Sequence, residues 1–437
     1  MSPYRAPLRD LAFVIRELAG LDAVAQLPGN TEATPDLVEA VLDEAAAFAS
    51  GVLEPLDAAG DREGARWHDG GVSMPAGFTA AYRQFADAGW IGLPFPPEYG
   101  GQGLPMLVGA AVLEMWSAAN LGFANGPDLN AGAIEALLLC GSPEQKQLYV
   151  PRLISGQWTG TMVLTEPQAG SDLAAVRTLA VPDGDHYRIS GQKIFITYGE
   201  HDMAENIVHL VLARTPTAPP GVKGISLFIV PKFVVNADGT LGKRNDVYCA
   251  SIEHKLGIRA SPTCVLNYGE SGGAIGYLVG EENRGLEYMF VMMNRARFAV
   301  GVQGLGQADR AYQRALAYAL ERVQGKSVAS RDPSPVAIVH HPDVRRMLMT
   351  MKSQIEAMRA LALVVAAALD HAHNDPDPAI RAEEQAFSEL MTPIVKGWLT
   401  ETSLEIVSTA VQVHGGMGFI EESGAPQSYR DARITAI

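Results

Sequence analysis

Basic residues are in short supply. Lys and Arg number 34 against 49 Asp and Glu, a formal charge of -15 on 437 residues. That excludes a sequence-independent nucleic-acid binder, which needs a basic surface. An anionic ligand stays open, because local arginines and helix N-termini hold phosphates even on an acidic protein. Cysteine is scarcer still: Cys140, Cys249 and Cys264 are the full set, an odd number with none at metal-ligand spacing. Neither a disulfide framework nor a bound metal is expected, and a reducing cytoplasm is the plain setting. Long apolar runs are missing. The longest, Leu361 to Leu369, is about half of the roughly 20 residues a membrane span needs. The first residues carry Arg5, Arg9 and Asp10 and no apolar core, so no secretory signal is expected. There is no internal repeat and no low-complexity tract.

What is present is a 47% hydrophobic chain, enough for two or three domains around a large core. To about residue 155 the pattern is helical: Leu37, Val41, Ala45 and Phe48 recur at helical spacing after Pro35, and Phe78 to Ala88 ends at Gly89. The Gly- and Pro-dense stretch from Leu93 to Gly103 forces a loop. Helical spacing returns at Val108 to Ala119 and Ala131 to Cys140. From about Thr161 to Leu278 the apolar residues alternate in short runs, among them His186 to Thr197, Ile207 to Ala213, Gly224 to Val230 and Thr263 to Tyr268. Such runs predict a small antiparallel sandwich or barrel. After about Gly285 long helices are expected. The first is closed near Gly325, the second runs from Pro342 to His371, and the third goes from Pro378 to His414 with a break at Pro393. The expected fold is α+β and multidomain: a helical domain over 1–158, a β domain over 159–282 and a four-helix-bundle domain from 283.

Two segments carry chemistry. Met162-Val-Leu-Thr-Glu-Pro-Gln-Ala-Gly-Ser-Asp172 is a strand running into a turn, where Gly170 bares backbone N–H groups beside the Thr165 and Ser171 hydroxyls. Such a turn can meet a flavin edge or a phosphate; taken alone, an ordinary strand exit is the commoner reading. Ser190-Gly-Gln-Lys-Ile-Phe-Ile-Thr-Tyr-Gly199 is a turn and strand with Phe195 and Thr197 on one face. His340 and His341 lack a third ligand and read as surface residues before a helix. The set Met347, Met349, Met351 and Met358 reads mostly as core.

Together the two segments resemble the signature of the acyl-CoA dehydrogenase family. Further matches follow in order: Pro96 to Gly103, Leu138 to Tyr149, Met293-Asn-Arg-Ala-Arg-Phe298, Glu321 to Lys326, Gln412-Val-His-Gly-Gly-Met-Gly418 and Arg430-Asp-Ala-Arg433. The resemblance covers nearly the whole chain. It implies FAD as cofactor, an acyl-CoA thioester as substrate and an electron-transfer flavoprotein as acceptor. It places flavin contacts at Leu164, Thr165, Gly170, Ser171, Phe195 and Thr197. Relatives often have tryptophan at the position of Phe195. Arg322, Gln412, Gly415 and Gly416 match residues that reach the flavin of a neighbouring subunit, so a homodimer or tetramer is expected. Ser171, Asn294 and Arg297 match the thioester end of the substrate. Asn125, Asp128 and Asn130 fall near the expected acyl floor, although Asp128 or Asn130 equally suits a helix N-cap, the reading given more weight. Without the family, Arg297 reads as a helix ion pair, Arg322 as a solvated helix end, Gly415-Gly416 as a C-cap and His414 as a capping residue.

The family reaction removes an acidic α-proton with a carboxylate while a hydride leaves the β-carbon for the flavin. In relatives the glutamate lies just after the segment matching Arg430 to Arg433, which puts it two residues past Ile437; the alternative family position is here Ala296. No base is therefore expected within 1–437, and the native protein is expected to continue. The opening Tyr4 to Leu18, with Leu27-Pro-Gly29 and the shortened Glu321-Arg-Val-Gln-Gly325, resembles the branch containing 3-methylmercaptopropionyl-CoA dehydrogenases, whose members carry a further C-terminal domain. Two other activities fit the same residues: an oxygen-using oxidase or monooxygenase, and a flavin-binding scaffold without a base.

Overall fold

The computed structural model describes residues 3–328 and 333–437. The N-terminal part holds α1 (Leu8–Phe13), α2 (Leu21–Val24), α3 (Pro35–Phe48), α4 (Glu54–Glu63), a small hairpin of β1 (Arg66–His68) and β2 (Gly71–Ser73), then α5 (Phe78–Asp87), α6 (Met106–Ala119), α7 (Leu121–Cys140) and α8 (Pro143–Ile154). Thr34 caps α3 by accepting the Leu37 N–H, with Pro35 in the first turn. Its buried stripe is Val38, Leu42 and Ala45, one position off the expected one, and Leu37 faces out. Ser142 and Gln145 form a reciprocal capping box on α8. α7 corrects an expectation. Its cap is Asn120, which accepts the Phe123 N–H at 3.0 Å, and the helix runs unbroken through Pro127, Asp128 and Asn130. Asp128 is not a cap. Most of α7 is buried, and burial on that scale outweighs the local preference of proline and aspartate for a helix end.

The middle part contributes β3 (Trp158–Val163), β4 (Leu179–Asp183), β5 (His186–Thr197), β6 (Asn206–Ala213), β7 (Ser226–Pro231), β8 (Phe233–Val235), β9 (Leu241–Arg244), β10 (Val247–Ile252), β11 (Thr263–Tyr268) and β12 (Ala274–Val279). The main sheet runs β10-β11-β5-β12-β7-β6-β3, with β4 added on β5. Pairing is antiparallel except that β3 lies parallel to β6, in register from Trp158↔Asn206 to Val163↔Val211. Every residue of β6 is buried, as befits a strand covered on both faces. α7 lies on β3 so closely that a Cβ at Gly160 would stand 2.3 Å from the Ala133 Cβ. Neither backbone can yield cheaply. Gly160→Ala is expected to lose about 1–3 kcal/mol through forced separation of helix and sheet, read as a lower urea midpoint. A midpoint equal to that of the parent would refute the contact.

The C-terminal part is α9 (Gly285–Glu321), a short hairpin of β13 (Val323–Lys326) and β14 (Pro335–Ala337), then α10 (Pro342–Asn374), α11 (Pro378–His414) and α12 (Ala425–Ala432). Two expectations are corrected. α9 ends at Glu321, and Gly325 (φ +67°) lies within β13, where the register to β14 shifts, instead of capping the helix. α11 does not break at Pro393. Pro393 lies on the exposed side, where water can take the freed carbonyl one turn back, and Thr392 donates to the Ser388 carbonyl at 2.8 Å. Of the methionines, Met351 and Met358 are core, but Met349 points outward. Arg359 on α10, fully buried, binds Glu114 on α6 at 2.5 Å and Asp309 on α9 at 3.4 Å. No helix among the described residues is long and apolar enough to cross a membrane.

Candidate active site

β3 delivers the chain to Leu164 and Thr165 at the sheet's end. Their carbonyls do not dangle. The Ile194 N–H donates to the Thr165 carbonyl at 2.9 Å, and Lys193 Nζ donates to the Leu164 carbonyl at 2.9 Å. Lys193 is fully buried and pairs with Glu166 at 2.9 Å. Glu166 also accepts the Arg177 N–H (2.8 Å), the Thr178 N–H (3.0 Å) and the Thr178 hydroxyl (2.6 Å). Burial works to raise the Glu166 pKa, yet Lys193 and these donors hold it down to about 2. Burial in turn pushes Lys193 down to about 8 against the pull of Glu166. Both stay charged at neutral pH. The two sequence segments are thus stitched together by a buried ion pair that sequence reasoning did not single out. The signal was there: a lysine at an inward position of an alternating strand.

The next residue but one is strained. Phe195 has φ +60°, a conformation that costs a bulky side chain about 1–3 kcal/mol. Opposite β11, Cys264 pairs with Ile196 and Leu266 with Lys193, so β5 holds one extra residue there. This β-bulge keeps both Lys193 and Ile196 inside and throws the Phe195 ring out, 57% exposed. Thr197, half-buried, pairs with Thr263. Gly170 and Ser171 sit exposed on the adjoining turn, with open space beyond the Gly170 Cα. An exposed flat ring beside a turn rich in N–H, carbonyl and hydroxyl groups fits a planar heterocycle with a polar edge, as FAD has.

The second set of expected flavin contacts lies elsewhere. Arg322 is exposed at the end of α9, and Gln412, Gly415 and Gly416 are exposed at the end of α11. Tyr318, one turn before Arg322, stacks on His414 at 4.6 Å, so these residues share one end of the bundle. His414 is buried, and its Nδ1 meets the Ala410 carbonyl at 2.7 Å. Among the described residues no hydrogen bond, ion pair or ring contact joins this set to Leu164–Thr197.

A partly open cavity of about 70 Å³ lies between α6, α7 and α9. Its walls are mostly apolar, with Phe85, Trp90, Trp116 and Phe298 among them. Asp128 is the one acid and Arg295 the one cation on its lining. Asp128 meets Gln303 Nε2 at 3.1 Å, and burial pushes its pKa up to about 6, opposed by Arg295. Asn294, exposed on α9, accepts from Arg297 Nη1 at 3.1 Å, and the Arg297 guanidinium lies over Phe290. Two buried histidines of the β domain offer no base: His201 and His209 meet the Thr159 and Thr161 hydroxyls, and burial holds both down to about 3. No cluster among the described residues is fit to hold a metal ion.

All three parts of the chain converge on α12. Arg430 binds Asp61 of α4 at 2.7 and 3.3 Å and donates to the Leu256 carbonyl at 3.2 Å. Asp431, buried, accepts the Ile258 N–H at 2.5 Å. Gly257 permits this approach, since a Cβ there would meet the Arg430 carbonyl carbon at 2.6 Å. Arg314 of α9 holds the helix start through the Gly424 carbonyl (2.8 Å) and Ser428 (2.6 Å). Burial, with Asp57 and Asp61 nearby, raises the Asp431 pKa to about 7. Asp61 gave no sequence signal.

Three family models match in order: the acyl-CoA dehydrogenase N-terminal domain over 36–157, the middle domain over 161–269 and the C-terminal domain over 283–437. The chain is 52% identical over 435 residues to 3-methylmercaptopropionyl-CoA dehydrogenase of Ruegeria pomeroyi, spanning 99% of this chain and 73% of that protein. Among solved structures it resembles a chain described with the electron transferring flavoprotein of Acidaminococcus fermentans, at 28% identity and a TM-score of 0.74, covering 92% and 93% of the two chains. It likewise resembles butyryl-CoA dehydrogenase of Megasphaera elsdenii, at 25% identity and a TM-score of 0.73, covering 92% and 94%.

Proposed function

The chain belongs to the acyl-CoA dehydrogenase family and is an FAD-dependent acyl-CoA dehydrogenase; from that premise we propose that it acts on a short acyl-CoA, with 3-methylmercaptopropionyl-CoA foremost. The observation that carries the reading is the Phe195 bulge beside Leu164 and Thr165, a flat exposed ring held rigidly next to a polar turn. FAD, when bound, accepts the electron pair released as the Cα–Cβ bond becomes a double bond, the opening step of fatty-acid β-oxidation. In this reading Phe195 faces the flavin ring, and Thr165, Thr197, Gly170 and Ser171 meet its polar edge. Ser171, Asn294 and Arg297 hold the thioester end. The acyl tail enters the cavity at Asp128. A tail of few atoms is supported by its volume, about 70 Å³. A thioether tail is supported by the four aromatic rings on its lining, which favour sulfur contacts, and by the substrate of the 52% identical relative.

The α-proton is taken in this reading by a carboxylate aimed by the arm that Arg430 and Asp431 fix. Arg322, Gln412, Gly415 and Gly416 serve a neighbouring subunit's flavin; their placement apart from Phe195 supports a homodimer or a larger assembly. Electrons pass to an electron-transfer flavoprotein, in keeping with the similarity to a chain described with one. The setting is cytoplasmic. The domains divide at 158/159 and 282/283. Anaerobic titration of the FAD-loaded full-length protein tests the function. Addition of 3-methylmercaptopropionyl-CoA is expected to bleach the visible flavin bands. Bands that persist with that ester, butyryl-CoA and hexanoyl-CoA alike would leave a flavin-binding scaffold.

A further inference from the structure

We propose that Asp128 determines the specificity of the acyl cavity, admitting a short uncharged tail and turning away one that ends in a carboxylate. The inference rests on the reading that this cavity receives the acyl tail.

Asp128 occupies mid-helix in α7, within a predominantly buried helix. A carboxylate there contributes nothing to helix capping, and the nearest cation is already engaged. Arg295 Nη1 binds Glu135 at 3.1 Å and the guanidinium lies over the Phe95 ring at 5.5 Å, while its buried Nε has no hydrogen-bond partner among the described residues. Gln303 is the one hydrogen-bond partner of Asp128 among the described residues, and it is neutral. Asp128 nonetheless remains half-buried rather than sealed, because it lines the cavity itself. Burial raises its pKa to about 6, which leaves it mostly ionised at neutral pH.

An incoming ω-carboxylate would therefore come to rest beside a second carboxylate among apolar walls, where the one cation on the lining, Arg295, already has Glu135 as its counter-ion. Like charges in such surroundings repel strongly. A methyl, ethyl or methylthio end carries no such penalty and is met by Trp90, Trp116 and Phe298. Discrimination between uncharged and carboxylate-ended tails on the order of 10²-fold follows, in the range that a mismatched polar group at a buried site produces. A purely structural Asp128, serving only to tie α7 to α9 through Gln303, would affect both substrates equally.

The test compares kcat/KM for butyryl-CoA and glutaryl-CoA, using the FAD-loaded full-length protein and a dye acceptor. The wild type should prefer butyryl-CoA by on the order of 10²-fold. Asp128→Asn keeps the shape and the link to Gln303 but removes the charge. Its preference should shrink at least about tenfold, chiefly through a lower KM for glutaryl-CoA. Gln303→Met removes the link and keeps the charge, so its preference should stay near that of the wild type. An unchanged preference in Asp128→Asn with full flavin content would overturn the proposal. So would equal collapse of the preference in both variants, which marks a structural role. Wild-type protein inert towards both esters and towards 3-methylmercaptopropionyl-CoA would overturn the parent reading and this one with it.

Discussion

Lys193→Met is expected to strip the protein of FAD and to lower its stability by about 3–5 kcal/mol, the usual consequence of leaving one half of a buried ion pair alone. That is a large share of the roughly 5–15 kcal/mol by which domains are stable. Lys193 is fully buried and touches both Glu166 (2.9 Å) and the Leu164 carbonyl (2.9 Å). Its loss leaves the Glu166 carboxylate inside with neutral donors only. It also frees the strand exit on which Leu164 and Thr165 sit. The double variant Lys193→Met, Glu166→Gln should recover part of the loss, since no orphaned charge remains. Urea midpoints and flavin absorbance per chain measure both effects; a single variant within about 1 kcal/mol of the parent would refute the argument. A pH signature accompanies it. Glu166 in the fold is held at about 2, below its ordinary 4.5, so the unfolded chain takes up that proton first. The stabilisation is complete above the ordinary value and drains away as pH falls towards 2. Glu166→Gln should lose this acid-side slope.

Arg430→Met is expected to lower kcat by about 10²-fold with KM little altered and FAD retained, the scale reached when a catalytic group is displaced by about 1 Å from afar. Arg430 is a positioning residue. Its guanidinium joins α12 to Asp61 on α4 and to the Leu256 carbonyl. Without it, Asp61 keeps only Arg259, at 3.7 Å and half-exposed. Asp57, Asp61 and Asp431 then face one another with less opposing charge, and the arm beyond Arg433 loses its fixed direction. The same variant reduced with dithionite should bleach as fast as the parent, because the side-chain partners of Arg430, Asp61 and Glu421, are not among the proposed flavin contacts. Stopped-flow bleaching by butyryl-CoA reads the loss; a rate within threefold of wild type would sink the idea.

The order of helices, sheet and helices was legible because helical and alternating periodicities differ over long stretches, as in α9 and β5. The candidate flavin cradle was legible as two segments because turn chemistry and ordered motifs coincide at Thr165 and Phe195, and the fold brings those segments together. What escaped was set by tertiary contacts. Asp128 has the local chemistry of a cap, but burial of α7 against β3 and α9 carries the helix straight through it. Pro393 has the chemistry of a break, but its exposed side tolerates the missing bond. The parallel register of β3 with β6 depends on a partner some 48 residues away, beyond the reach of any local pattern. Asp61 is one acid among 49; only the fold brings it to Arg430.

The bulge in β5 separates two tasks that often fall to one residue. Lys193 and Ile196 anchor the strand from within, while Phe195 carries no part of that anchoring. The identity of the outward ring is therefore free to drift without threatening the scaffold. A tryptophan at 195 would meet open space where the phenylalanine now stands. On the proposed placement of the flavin against this ring, sequence change here is a means of adjusting how the cofactor is gripped, and with it the flavin's electron affinity, at small risk to folding.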